Sequence, residues 1–243
     1  MSGHSKWATT HRQKEVADAK RGAIFTKLAN AITIAAKQGG GDLETNFKLR
    51  MAIDKARDSN MPKDNIERAV KKGTGELGGE QIEEIAYEAF GPAGTAFIIE
   101  TVTSNRNRTV SNLKHIFNKY GGNLGGANSV AWMFERSGVI RIINEELKDK
   151  NIDELELKLI DLNAKDVKKE TEGLVVYTDP LDLQKIKNEI EKNNINIASA
   201  DIEYVPKDKI EIKDNVIKEN LEKILDELES DEDANNYYFN FID

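Results

Sequence analysis

The spacing of hydrophobic residues changes near residue 78, and this change limits the folds open to the chain. Before that point, four apolar residues recur at the spacing of one helical face: Ile24, Leu28, Ile32 and Ala35. Three glycines at 39–41 are expected to end this helix, because glycine readily adopts the left-handed conformation found just past helix ends. The spacing predicts two further helices, one over 47–60 and one that begins at Pro62.

Beyond residue 78, short runs rich in β-branched residues alternate with helical segments, a pattern typical of α+β domains. A predicted helix over 110–120 lies between two predicted strands, 95–103 (TAFIIETVT) and 129–135 (SVAWMFE). The segment 137–206 then supplies a strand, a helix, two strands, a helix and a strand. This is the βαββαβ order of a ferredoxin-like fold.

The last two predicted elements, a helix over 216–228 and a strand over 237–242, supply what the incomplete domain before residue 137 lacks. We therefore predict an α+β protein that has an N-terminal helical domain and two ferredoxin-like α+β domains, one inserted into the other. Its predicted domains are 1–77 (helical, with an N-terminal arm), 78–136 together with 207–243 (discontinuous) and 137–206 (inserted).

Charge is distributed as unevenly as hydrophobicity. Residues 1–75 contain 15 lysines and arginines against 8 acidic residues, a net charge of +7. The remaining 168 residues contain 20 basic and 35 acidic residues, a net charge of −15, so the overall charge of −8 conceals a basic first third. This segregation favours a polyanion such as nucleic acid as the partner of the N-terminal domain.

Catalysis, metal binding and membrane insertion find little support in the sequence. The chain has no cysteine, only three histidines and no recognisable nucleophile motif, so we predict no catalytic residue, metal site, cofactor or small-molecule substrate. The glycines at 73, 75 and 78 match a dinucleotide fingerprint, but they follow a predicted helix rather than a strand and indicate a linker. The polar N-terminus and the short apolar runs predict a cytoplasmic protein that meets no membrane.

The candidate binding residues lie in two places. The arm and the first helix carry cations that neutralise phosphates and rings that stack on bases: His4, Lys6, Trp7, Arg12, Lys14, Lys20, Arg21 and Lys27. The alternative is a solvated helix face, with Trp7 buried as a core anchor. In the second place, Arg106 and Arg108 precede a predicted helix whose free amides favour an anion. Here the alternative is an ordinary helix N-cap with solvated arginines.

Several motifs resemble those of the YebC/PmpR family. In the helical region they are 3–7 (GHSKW), 18–22 (DAKRG) followed by Ile24-Phe25, 39–42 (GGGD), 60–69 (NMPKDNIERA) and 71–75 (KKGTG). Further on they are 91–92 (GP), 105–109 (NRNRT) and 121–125 (GGNLG). The chain departs from the family pattern at Ser104, where an aspartate is usual, at Phe90, where a tyrosine is common, and at Asn128, where a glycine is usual. Asparagine tolerates the left-handed conformation expected there.

The resemblance implies a three-domain protein with a cleft and a DNA-binding role as a probable transcriptional regulator. Other family members resemble translation factors, namely mitochondrial translational activators and bacterial proteins that help ribosomes through proline-rich stretches. By position, the resemblance favours the arm, Lys20-Arg21 and Arg106 with Arg108 as binding residues. Physical reasoning alone leans towards RNA recognised by its shape and phosphates, because the cations are dispersed. DNA and ribosomal RNA therefore both stay open as partners.

Overall fold

The structure, a computed structural model, describes residues 18–78, 82–148 and 150–242. Its N-terminal part is a unit of three helices: α1 (Asp18–Gly39), α2 (Phe47–Asp58) and α3 (Lys63–Gly73). The apolar stripe predicted for α1 is confirmed, since Leu28, Ile32 and Ala35 are buried against the other two helices and Ile24 packs against the same core. Pro62 caps α3 from outside the helix, one position earlier than predicted.

Two close contacts hold the three helices together. The Asn46 side-chain amide donates to the carbonyls of Ala35 and Gly40, and its oxygen accepts from the Leu49 amide, so one side chain joins the end of α1 to the start of α2. At the end of α3, a β-carbon on Gly73 would lie 2.4 Å from the Thr33 carbonyl oxygen. Only glycine allows α3 to approach α1 this closely.

The rest of the chain forms two four-stranded sheets and a short two-stranded pair. Its elements follow in the order β1 (Glu83–Phe90), β2 (Ala96–Thr103), α4 (Arg106–Lys119), β3 (Asn123–Leu124), β4 (Phe134–Ile143), α5 (Asn144–Leu147), α6 (Ile152–Asp161), β5 (Ala164–Glu170), β6 (Gly173–Thr178), α7 (Leu183–Lys192), β7 (Ser199–Pro206), β8 (Ile210–Glu211), α8 (Asn215–Ser230), β9 (Ala234–Phe239) and β10 (Phe241–Ile242).

The first sheet, which we call the outer sheet, has the strand order β3-β1-β2-β9 and is antiparallel throughout. Helices α4 and α8 cover one face, where Phe97, Phe117 and Tyr237 are buried. Strand β9 pairs with β2, so this sheet combines strands that lie before and after residues 134–206 in the sequence. The sheet's element order is ββαβαβ rather than βαββαβ, because β1 precedes β2 in a hairpin and no helix separates them.

The second sheet, which we call the inserted sheet, has the order β5-β6-β4-β7, with α6 and α7 packed on one face. All its neighbouring strands are antiparallel, and its elements follow the order βαββαβ, which is the ferredoxin-like arrangement. The chain is therefore of the predicted α+β class, with a helical unit and two sheets. The residue boundaries of the three domains stay a prediction.

Two sequence predictions differ from the structure. The strand predicted at 129–135 is wrong, because Ala131–Met133 forms a 3₁₀ turn and the strand begins only at Phe134. The backbone amides of Asn128, Val130 and Ala131 donate to the Glu88 carboxylate, so they do not pair with a neighbouring strand. Strand β1 was not predicted: its sequence, EEIAYEAF, is rich in glutamate and alanine, which are depleted in strands.

Candidate nucleic-acid interface

The arm residues predicted to bind nucleic acid lie outside the part of the chain that the structure describes. These are His4, Lys6, Trp7, Arg12 and Lys14. Lys20 and Arg21 lie in the first turn of α1, where the backbone is helical. They therefore stand at the end of α1 that adjoins the arm, and they stay predicted binding residues.

Lys27 differs from the expectation of a phosphate-binding cation. Its side chain is buried, and its ammonium donates to the backbone carbonyls of Leu228 at 2.9 Å and Glu229 at 2.6 Å. These carbonyls belong to the last turn of α8, where carbonyls lack helical partners and attract a cation. Burial lowers the pKa of Lys27, and the charges of Glu229 and Asp231 oppose that shift. In the described structure Lys27 joins α1 to α8 and does not face solvent.

Arg106 and Arg108 lie in the first turn of α4, which begins four residues earlier than predicted. The Arg106 guanidinium binds the Glu83 carboxylate on β1, with Nε at 2.7 Å. The Arg108 guanidinium binds Asp233 through Nη2 at 2.6 Å and Nε at 3.2 Å, and this hydrogen bonding raises the pKa of Arg108. Both arginines are more than half exposed, yet each is already held by a carboxylate.

Further hydrogen bonds, besides those from Arg108, hold Asp233 in place. It is buried, it accepts from the Thr109 hydroxyl at 2.8 Å, and its own backbone carbonyl accepts from the Val102 amide. A carboxylate therefore occupies the place beside the α4 N-terminus where the sequence predicted a phosphate. The alternative stated for this segment, a helix N-cap, is present as well, since the Asn105 side chain accepts from the Arg108 amide.

The helical unit carries exposed cations that are not among the predicted binding residues. Four of them form no ion pair with any residue that the structure describes: Lys55 on α2 and Arg68, Lys71 and Lys72 on α3. A groove of about 520 Å³ runs between α2 and α3. Its charged lining residues are Arg57, Lys63 and Lys71 together with Glu67 and Glu76. The sequence signal for the α3 cations was the amphipathic pattern itself, because they fill the face opposite buried Ile66 and Ala69.

Local pairing with acids affects part of this cationic surface. Asp54 binds Arg57 at 3.2 Å, and on α3 Glu67 lies 3.5 Å from the Lys63 ammonium. Within 18–78, 82–148 and 150–242, no group of three metal-ligating side chains of the His, Cys, Asp or Glu type is found. In the same segments, no helix is long and apolar enough to cross a membrane.

Comparison with known proteins shows which family has this sequence and architecture. Residues 5–76 match the family described as the TACO1/YebC protein N-terminal domain, and residues 82–241 match the TACO1/YebC second and third domain. The chain belongs to the TACO1/YebC family. The break between the two matched segments coincides with the end of the helical unit.

Similar proteins span nearly the whole chain. A probable transcriptional regulatory protein of Thermoanaerobacter pseudethanolicus is 48% identical over 242 residues, covering 99% of this chain and 96% of that one. Another, from Caldanaerobacter subterraneus, is 46% identical over 240 residues and covers 99% and 98%. The crystal structure of a conserved hypothetical protein from Aquifex aeolicus, 40% identical, has a TM-score of 0.82 and covers 95% of each chain. Family and fold class are thus as the sequence predicted.

Proposed function

We propose that this TACO1/YebC family member is a non-enzymatic, cytoplasmic regulator of gene expression that binds nucleic acid through its helical unit and N-terminal arm. One observation carries the proposal. The basic first third of the sequence corresponds to a separate helical unit whose α2 and α3 expose cations that no described carboxylate neutralises. Lysines and arginines in this state gain free energy when they meet phosphates and release the condensed counterions.

DNA is the first candidate partner, because similar bacterial proteins carry the name probable transcriptional regulatory protein. Regulation of transcription is the role that this name supports for the present chain.

Structured RNA, with the ribosome as its carrier, is the second candidate. The candidate cations are spread over the arm, α1, α2 and α3, so no single helix that could read a major groove carries them all. Such a dispersed set suits recognition by shape and phosphate contacts, which is the usual mode for double-helical RNA. A role in translation, such as relief of stalling at proline-rich stretches, would follow from this partner.

The test is charge reversal on the proposed surface. Lys71→Glu/Lys72→Glu and Lys20→Glu/Arg21→Glu are each compared with Lys158→Glu/Lys185→Glu, a control pair of exposed lysines on α6 and α7. All three double variants change the net charge equally, so a difference in affinity reports location. We expect the first two to bind a labelled duplex at least tenfold more weakly than the control. Equal affinities in all variants would contradict the assigned surface.

Salt dependence gives an independent measure of the same contacts. If roughly 5 phosphates are neutralised, the slope of log affinity against log salt concentration on duplex DNA is expected to be about −4.5. A flat dependence would remove the electrostatic basis of the proposal. Crosslinking in cells followed by sequencing of the attached nucleic acid then separates promoter DNA from ribosomal RNA.

A further inference from the structure

Trp132 is a large aromatic residue that the fold leaves in solvent. It lies in the 3₁₀ turn Ala131–Met133, and 65% of its surface is exposed. By contrast, the residues two positions before and after it, Val130 and Phe134, are buried in a small core against the outer sheet. The apolar core therefore lies within two residues of Trp132, yet the indole ring stays outside it.

The turn that carries Trp132 is held in place by its surroundings. The Glu88 carboxylate on β1 accepts three backbone amides of the turn segment, at distances of 2.6 to 2.7 Å. Asn128 takes the left-handed conformation that the sequence predicted, with φ of 64°. The indole Nε1 of Trp132 donates to the Ser129 carbonyl at 3.1 Å. The polar edge of the ring is thus satisfied internally, and what remains for a partner is the π face.

A cation is fixed beside the same residue. The Lys207 amide donates to the Met133 carbonyl at 2.9 Å, and the Lys207 ammonium donates to the Trp132 carbonyl, also at 2.9 Å. Lys207 is exposed, and an ammonium has three donors, so one hydrogen bond to a carbonyl leaves donors for a phosphate. The structure therefore presents an oriented aromatic face together with an adjacent positive charge.

We propose that Trp132 is a stacking platform for an unpaired base of single-stranded nucleic acid, with Lys207 binding a neighbouring phosphate. This inference rests on the proposed function and adds a second contact point outside the helical unit. A base requires only one aromatic face, and stacking tolerates any base. A protein partner would require a wider apolar surface, whereas the exposed residues next to the turn, 126–128, are Gly, Ala and Asn.

Fluorescence tests the contact directly, because the chain contains only Trp7 and Trp132. In a Trp7→Phe variant, which keeps an aromatic ring at this predicted binding position, all tryptophan emission comes from Trp132. The affinity of this variant for the oligonucleotide is measured beside that of the wild type, so that binding lost through Trp7 is recognised. We expect an oligothymidylate or oligouridylate of about 15 nucleotides to quench this emission. A duplex of the same length, whose bases are already stacked on one another, is expected to leave the emission nearly unchanged. Quenching by neither strand, or equal quenching by strand and duplex, would overturn the proposal.

Affinity for the same oligonucleotide separates stacking from simple apolar contact. Trp132→Ala is expected to raise the Kd by roughly 5- to 150-fold, the range that loss of one stacked base gives. Trp132→Leu should lose most of the affinity and Trp132→Phe should keep part of it, since only phenylalanine retains a π face. Leu181→Ala, at a position that is 92% exposed in the inserted domain, is the matched control and should bind as the wild type does.

The outcomes distinguish this proposal from the proposed function. If the wild type binds both oligonucleotide and duplex while Trp132→Ala binds them equally well, the platform is wrong and the function stands. If the wild type binds neither, the proposed function itself fails. Thermal unfolding of each variant shows whether the turn is intact, and only a small shift is expected because the ring is mostly exposed.

Discussion

The helical unit and the two sheet-bearing regions use lysine and arginine in different ways. In the helical unit the ion pairs between described residues, Arg57–Asp54 and Lys63–Glu67, join neighbours on one helix and leave other cations free. The sheet regions also contain local pairs, such as Lys158–Glu154 and Lys223–Glu219. What they add is a set of pairs between distant elements: Arg106–Glu83, Arg108–Asp233, Lys119–Glu227, Arg141–Glu203, Lys165–Glu135 and Lys169–Asp153. The same residue types thus hold the fold together in one region and stay available for a partner in the other.

Breaking the buried Arg141–Glu203 ion pair of the inserted sheet should lower the stability of the protein more than any other substitution that we propose. Arg141 and Glu203 lie on β4 and β7, their side chains are about 9% exposed, and Arg141 Nη2 donates to Glu203 at 2.8 Å. We expect Glu203→Leu to lower the free energy of unfolding by about 3–5 kcal/mol, because a buried guanidinium loses its counter-charge. Urea denaturation measures the loss.

Two variants sharpen this prediction. Asp153→Leu breaks the exposed Lys169–Asp153 pair between α6 and β5 and is expected to leave the free energy of unfolding nearly unchanged. The double variant Arg141→Met/Glu203→Leu should recover most of the stability, since it removes both charges. A loss of under 1 kcal/mol for Glu203→Leu would mean that the buried pair is not what distinguishes the sheet regions.

Two lysines of α1 are held by carbonyls outside the helical unit, Lys37 by that of Ile82 and Lys27 by those of α8. Lys27 is the buried one of the two, and its loss should have the next largest effect on stability. Methionine at this position keeps most of the packing but leaves the Leu228 and Glu229 carbonyls without their donor. We expect Lys27→Met to lower the free energy of unfolding by about 1–3 kcal/mol. Lys55→Met, at an exposed and unpaired position on α2, is the control and should stay within about 0.5 kcal/mol. Equal behaviour of the two variants would show that Lys27 belongs with the free cations.

Glu100 is the converse exception, a carboxylate on β2 that forms no ion pair with a described residue. Burial raises its pKa, against the opposing effect of hydrogen bonds from Asn236 and Tyr238, both at 3.1 Å. Between its usual pKa and the raised value the folded state binds more protons than the unfolded state, so this group lowers stability as the pH rises.

Removing the charge of Glu100 should therefore raise stability, and this is the smallest effect that we expect. Glu100→Gln should stabilise the protein at neutral pH by at most about 1 kcal/mol, and the gain should vanish below the carboxylate's ordinary pKa. Unfolding curves recorded across this pH range test the prediction, with Glu44→Gln on an exposed loop as the control. A gain that is independent of pH would assign the effect to packing and not to the charge of Glu100.

Sequence reasoning succeeded where the pattern was local and failed where the outcome depended on a distant partner. The α1 stripe and the βαββαβ order follow from hydrophobic periodicity, which each segment carries by itself. The burial of Lys27 depends on α8, some 200 residues away in the chain, and the sequence around Lys27 does not indicate this contact. Likewise, the 3₁₀ turn at Trp132 depends on the carboxylate of Glu88. Glu88 lies on β1, whose glutamate- and alanine-rich sequence does not predict a strand.

The pairing of β9 with β2 also dictates when the outer sheet can be completed during synthesis. Strand β2 is made early, but its neighbour β9 begins only at Ala234, so one edge of β2 stays open until that later stretch has been made. The inserted sheet draws all its strands from an unbroken stretch and is able to fold while the nascent chain still grows. A polypeptide that stops before residue 234 would expose that edge to other chains, and a truncation that removes β9 is therefore a route to aggregation.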